Sequence, residues 1–203
     1  MNVYGTKQIR NVVLLGHGGA GKTTVAEALA LVTGTTKRMG KVPEGTTISD
    51  YDKEEIKRQF SISTTMVPIE YEGAEGKIKI NLLDTPGYFD FVGEVEEAVS
   101  VADAAIIVVN CKAGIEVGTE KAWELLKSRI LCLHIKDALA DGSVVPAGKG
   151  IGNIEKIVSE YVAAGGREFT IEPHLTVFSG LSGLEREGDT SVVGTIYRYP
   201  SRD

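Results

Sequence analysis

The run Gly16-His17-Gly18-Gly19-Ala20-Gly21-Lys22-Thr23 concentrates the residue types that hold an anion and fits the pattern GxxxxGK(S/T). Glycines at these spacings let the backbone curl until successive N–H groups point inward at one phosphate. The helix after the loop adds its positive N-terminal end, and Lys22 sets a cation against the outer phosphate oxygens. Thr23 offers a hydroxyl to Mg²⁺, and Thr24 continues the same turn. His17 is filler in the pattern and is expected to be solvated rather than catalytic. The competing reading is a glycine-rich turn with a free lysine, and the flanking sequence decides against it. The β-branched run Asn11 to Leu15 precedes the loop, and apolar residues at helical spacing succeed it from Val25 to Val32. A second element, Asp84-Thr85-Pro86-Gly87, ends another apolar run. Alone it is an Asp-Pro-Gly turn. After a phosphate loop, its carboxylate can hold Mg²⁺ through water, and the Gly87 N–H can meet a γ-phosphate and report its loss.

The elements that must position these groups are set by periodicity. Residues 34–57 lack it and read as a long mobile loop with a short helical turn at Asp52 to Lys57. Alternation over Ser63 to Tyr71 and Lys77 to Asp84, around the turn Glu72 to Gly76, predicts a β-hairpin. A helix is expected at 92–102, a buried strand at 103–110 and a helix at 118–128 capped by Thr119. Strand Arg129 to Ile135, glycine-rich loop 142–152, helix Asn153 to Ala164 and strand Glu168 to Glu172 then form a βαβ unit, and 176–203 reads as a loosely packed tail or hairpin. Alternating strands and helices predict an open, mainly parallel sheet with helices on both faces.

Composition narrows the function classes. The 203 residues are 42% hydrophobic and 25% charged, globular proportions, and too few for a complete eight-stranded βα barrel. With 22 Lys plus Arg against 28 Asp plus Glu, the net charge of -6 disfavours bulk nucleic-acid binding. Cys111 and Cys132 lie in apolar runs, as buried thiols of a reducing compartment do. No stretch is long and apolar enough for a membrane span or a leader, so a cytoplasmic protein without membrane contact is expected.

Residues 1–128 resemble the GTPase domain of translation elongation factor G-like proteins. The resemblance rests on GHGGAGKTT, RQFSIS at 58–63, NLLDTPGYFDFVGEVEEA at 81–98 and AAIIVVNCKAGIEVGTEKAWE at 104–124. It implies an α/β fold, a three-layer P-loop NTPase of Ras-like type, binding GTP or GDP with Mg²⁺. The phosphate contacts fall on Gly16 to Thr24, the metal contacts on Thr23, Ser61 and Asp84, and Lys22 and Gly87 act at the γ-phosphate. Ser61 stands where the family has a metal-binding threonine. Tyr88 stands where it commonly has a histidine that positions water, which implies slow or absent hydrolysis. The later domains through which the family makes many of its ribosome contacts are not in this sequence, so ribosome contact does not follow from the resemblance.

Downstream, the family's NKxD is missing, and the HIKD segment puts Asp137 in the place of the guanine-reading aspartate. Residues 129–203 instead resemble the last βα units of a sugar phosphate isomerase/epimerase TIM barrel, with HIKD, a PAGKG loop and a terminal EPH. The whole is expected to be a chimera in which that piece completes the sheet of a single domain. His134 and Glu172 would be metal ligands in an intact barrel; here they are a weak metal pair or structural remnants, with His174 and Lys149 alongside. Ser179-Gly180-Leu181 resembles a base-touching loop of the GTPase family, or matches it by chance. Three readings remain: a guanine nucleotide-binding domain, an inert fold chimera, and a residual isomerase.

Overall fold

A computed structural model describes residues 2–73, 76–110, 113–141 and 143–171. The chain divides into two compact units, one made of residues 1–110 and 116–125, the other of 111–115 and 126–203.

The first unit is built on β1 (Ile9–Leu15), whose β-branched and leucine residues favour an extended buried chain. α1 (Lys22–Val32) comes after the phosphate loop, and α2 (Lys53–Arg58) lies within the long connection to the hairpin β2 (Thr65–Gly73) and β3 (Gly76–Asp84). Next come α3 (Val92–Val101), β4 (Ala104–Ile107) and α4 (Val117–Leu126). The four strands form one sheet in the order β2-β3-β1-β4, with β1 parallel to β3 and β4 and only β2 antiparallel. Register pairs Leu14 with Asp84 and Leu15 with Ile107, so the carboxyl ends of β1 and β3 finish side by side. In an open α/β sheet, that is where ligands bind.

Alternation along β1 sends Leu14 to one face, where it packs with Ala26 and Ala30 of α1 and with Val67, Ile69 and Leu82. Val13 and Leu15 point to the other face and are equally buried, and α3 lies against β1. α2 starts on Asp52, whose side chain accepts the Glu54 N–H while Glu55 reaches back to the Asp52 N–H, a reciprocal cap.

The second unit contains β5 (Cys132–Ile135), β6 (Asp137–Ala138), β7 (Val144–Val145), α5 (Ile154–Ala163) and β8 (Glu168–Ile171). β5 and β8 run parallel with α5 between them, the expected βαβ arrangement. Tyr161 of α5 is fully buried; its hydroxyl donates to the Leu131 carbonyl at 2.7 Å and accepts the Glu168 N–H at 3.3 Å.

Three expectations need correcting. Among the described residues β5 and β8 form a two-stranded sheet, with Cys132 and His134 of β5 exposed. Cys132 is accordingly a free, exposed thiol rather than a buried one. Among the described residues β4 pairs with β1 alone, at the edge of the sheet, and Ala104, Ala105 and Ile106 are exposed. Thr119 lies inside α4 with its hydroxyl buried and unpartnered, so it is not the cap. Cys111, Glu172, His174, Ser179 to Leu181 and the tail 176–203 lie outside the described residues.

Candidate functional site

β1 runs directly into the glycine loop. At Gly16 φ is +139°, and a side-chain carbon there would sit 2.3 Å from the Val108 carbonyl oxygen, so only glycine lets the strand leave at this angle. The Ala20 N–H closes a turn on His17 O at 3.1 Å, and α1 begins at Lys22, whose turn presents N–H groups that have no carbonyl four residues back. Lys22 is 5% exposed and donates to Gly16 O at 3.1 Å and His17 O at 2.9 Å. Burial lowers its pKa, and the carboxylates of Asp84 and Asp50 act in the opposite direction. A cation is thus held beside the loop's amides by the loop itself.

Facing it, Asp84 ends β3. Ser49 Oγ donates to one carboxylate oxygen at 2.7 Å, and the other is buried without a hydrogen-bond partner. Burial pushes its pKa up to about 6, with the Ser49 and Thr23 hydroxyls moderating the shift. Asp50 is also buried, and neither of its oxygens has a hydrogen-bond partner of normal length. Its pKa is raised by burial, and the nearby Ser61 hydroxyl offsets part of the effect. The Thr23 and Ser61 hydroxyl oxygens lie 3.3 Å apart. Bare buried carboxylate oxygens and two hydroxyls make an all-oxygen set that suits a hard divalent cation such as Mg²⁺, which takes few carboxylates and keeps some water.

Gly87 packs on the loop so closely that a side-chain carbon there would be 2.4 Å from Lys22 Nζ and 2.5 Å from Gly18 N. Tyr88 lays its ring where a side chain on Gly18 would stand, and it meets Phe60 edge-on at 4.8 Å. Thr85, wholly buried, anchors this segment by donating to Leu14 O at 2.6 Å. Between these walls lies a cavity of about 230 Å³, lined by Gly18, Gly19, Gly21, Lys22, Thr23 and Thr24 on one side and Asp50, Ser61 and Tyr88 on the other.

The structure therefore brings Gly16 to Thr24, Ser61, Asp84, Gly87 and Tyr88 together. It changes two of the expected roles. His17 is half-buried rather than solvated: its Nε2 faces Glu116 at 3.5 Å, and its Nδ1 accepts the Gly118 N–H at 3.3 Å. Asp137 is the larger correction. It is 1% exposed and accepts the N–H groups of Ala138, Gly148, Gly150 and Gly152 at 2.8–3.0 Å. Burial by itself would raise its pKa, and these four donors outweigh it and hold the pKa below the usual carboxylate value. Its acceptors are consumed by its own loop, which leaves it unsuited to reading a base. No group of three or more His, Cys, Asp or Glu arranged to hold a metal occurs among the described residues. No described helix is long and apolar enough to cross a membrane.

Sequence reasoning missed Asp50, Ser49, Glu27 and Glu55. Glu55 is buried; one of its oxygens accepts the N–H groups of Ile62 and Ser63 at 2.9 and 3.1 Å, which ties down the two residues after Ser61. Two signals were present. Asp52-Lys53-Glu54-Glu55 has capping-box spacing, and Glu27 falls on the same helical stripe as Thr23, Ala26 and Ala30, where an acid is out of place unless it has backbone partners.

The profile of the elongation factor Tu GTP binding domain matches residues 7–135. The chain is 43% identical over 116 residues to the elongation factor G-like protein of Mycobacterium tuberculosis, covering 57% of this chain and 16% of that protein. It is 37% identical over 124 residues to mitochondrial ribosome-releasing factor 2 of Candida albicans, covering 61% and 15%. A crystal structure of a Thermus thermophilus protein aligns with TM-score 0.56 and 42% identity over 63% of this chain and 19% of that one. Bacterial selenocysteine-specific elongation factor EF-Sec aligns with TM-score 0.51 at 20% identity, covering 80% and 25%, which is a likeness of fold alone. The chain thus spans about 16% of the length of the bacterial relatives it matches. With more than half its length under one profile and the phosphate loop and DTPG segment meeting at the sheet edge, the chain belongs to the elongation factor Tu GTP binding domain family.

Proposed function

We propose that the first unit binds GTP and GDP with Mg²⁺ and hydrolyses GTP slowly. The observation that carries this reading is the convergence of Lys22, the first turn of α1 and the bare oxygens of Asp50 on one cavity, with the buried Asp84 carboxylate close to Lys22 and Thr23. In this reading the phosphates seat on the N–H groups of Gly16 to Thr24, with the Lys22 ammonium against their outer oxygens. Thr23, Ser61 and Asp84, with Asp50 beside them, are the residues that would hold Mg²⁺, which would supply positive charge to neutralise the phosphates. The Gly87 N–H meets the γ-phosphate. Lys22 stabilises the charge that develops when water attacks in line. Tyr88 offers a phenol packed on Phe60 rather than a base for that water, which supports slow turnover. Guanine as the base is carried by family membership, since Asp137 is occupied by its own loop.

The second unit is read as a piece of different ancestry, joined near residue 128 and resembling the last βα units of a TIM barrel. The division of the chain close to that point and the parallel β5–α5–β8 unit support this reading.

Titration with fluorescent GDP and GTP, with ATP as competitor and Lys22→Ala as control, tests the function. Saturable binding that is abolished in Lys22→Ala and resists ATP is expected. No saturable binding at high micromolar ligand favours the inert chimera.

A further inference from the structure

The connection from residue 34 to 57, aperiodic in sequence, is pinned by a carboxylate from another element. Glu27 lies in the middle of α1 and is 1% exposed. Its Oε2 accepts the Gly40 N–H at 2.6 Å, and its Oε1 accepts the Ile48 N–H. Residues 40–48 are thereby closed into a compact loop whose two ends meet on one carboxylate. Gly40 fits only as glycine, because a side-chain carbon there would be 2.3 Å from Thr46 O. Inside the loop, Lys41 N–H donates to Thr46 Oγ1 at 3.0 Å.

The residues just beyond this loop reach the site. Ser49, next after the pinned Ile48, donates to Asp84, and Asp50 presents its two bare oxygens. Thr23 stands four residues before Glu27, one turn earlier on the same face of α1. One rigid helix therefore carries both the Thr23 hydroxyl and the staple that fixes where Ser49 and Asp50 stand opposite it.

Resting on the reading of this cavity as a Mg²⁺-nucleotide site, we propose that Glu27 is a positioning residue: by tying Gly40 and Ile48 to α1, it sets the placement of Ser49 and Asp50 and hence the site's affinity for the divalent cation. Ordering the loop in advance removes a conformational cost from the binding step. Glu27 itself touches neither cation nor nucleotide.

Glu27→Gln keeps the shape but replaces one acceptor with an N–H₂ that cannot receive a backbone N–H. Glu27→Asp keeps the charge and loses reach, and it serves where the glutamine variant fails to fold. Mg²⁺ is titrated against each protein with excess fluorescent GDP, GDP affinity is measured separately in EDTA, and tryptic cleavage after Lys37, Arg38 and Lys41 is timed. The expected result is a rise of about tenfold in the Mg²⁺ needed for half-saturation, the size usual for removing an outer support of a metal ligand. GDP affinity in EDTA stays within twofold of wild type, and cleavage is faster. An unchanged Mg²⁺ requirement, or equal losses with and without Mg²⁺, overturns the proposal. If the wild type binds no guanine nucleotide, it is the reading of the cavity that fails. The staple is then decided by trypsin: a protected wild type and a rapidly cut variant support it, and equal rates overturn it.

Discussion

Replacing Asp84 with asparagine should stabilise the metal-free, nucleotide-free protein at neutral pH while impairing the site. The Asp84 carboxyl is 1% exposed, and burial raises its pKa from 3.8 to about 6. A group whose folded-state pKa is raised takes up a proton on folding. Its ionised form therefore opposes folding, so this contribution to stability is complete below about pH 4, falls as pH rises toward 6 and stays lost above it. The rise from 3.8 to about 6 corresponds to about 3 kcal/mol at pH 7.5. Asparagine is neutral throughout, can keep the Ser49 bond through its carbonyl, and puts an amide where Asp84 has an unpartnered oxygen. Urea unfolding in EDTA, followed by fluorescence of Trp123, the single tryptophan, which lies in α4, gives the comparison. Asp84→Asn should exceed wild type by about 2–3 kcal/mol at pH 7.5, and the gap should shrink toward zero near pH 4. The same variant should need about tenfold or more additional Mg²⁺ for GDP binding, having lost an anionic oxygen. A variant less stable than wild type at pH 7.5, or an equal gain at both pH values, refutes the reasoning.

Two other substitutions separate roles within the chain. Gly87→Ala forces a carbon into a space 2.4 Å from Lys22 Nζ, so GTP binding should weaken about tenfold more than GDP binding in paired titrations. Equal losses would remove Gly87 from the γ-phosphate contact. Asp137→Asn puts a donor against backbone donors and should destabilise the loop 146–153 by about 2 kcal/mol, read as faster amide exchange, with GDP affinity unchanged within twofold. A selective loss of GDP over ATP binding would restore Asp137 as a base reader.

Much of the site was legible because its determinants are local. The glycine loop, Lys22 and Thr23 are contiguous, and Asp84 and Gly87 sit at the end of a hairpin whose alternation is plain in the sequence. The loop 34–57 read as mobile because nothing within it is periodic; its order comes from Glu27 and Asp84, distant in sequence and visible only after folding. Asp137 was misread for the same reason: its motif is local, but the donors that occupy it lie at 148, 150 and 152. The exposure of β4 depends on which strands flank it, and apolar content alone does not decide that.

The reading of the molecule stands or falls on whether the glycine loop seats the phosphates of a guanine nucleotide. A crystal structure of the protein grown with excess Mg·GDP tests it most directly. Phosphate oxygens are expected within hydrogen-bond distance of the Gly18 to Thr23 amides and of Lys22 Nζ, with the cation against Thr23. GDP bound elsewhere, or a loop without phosphate at millimolar ligand, would contradict it.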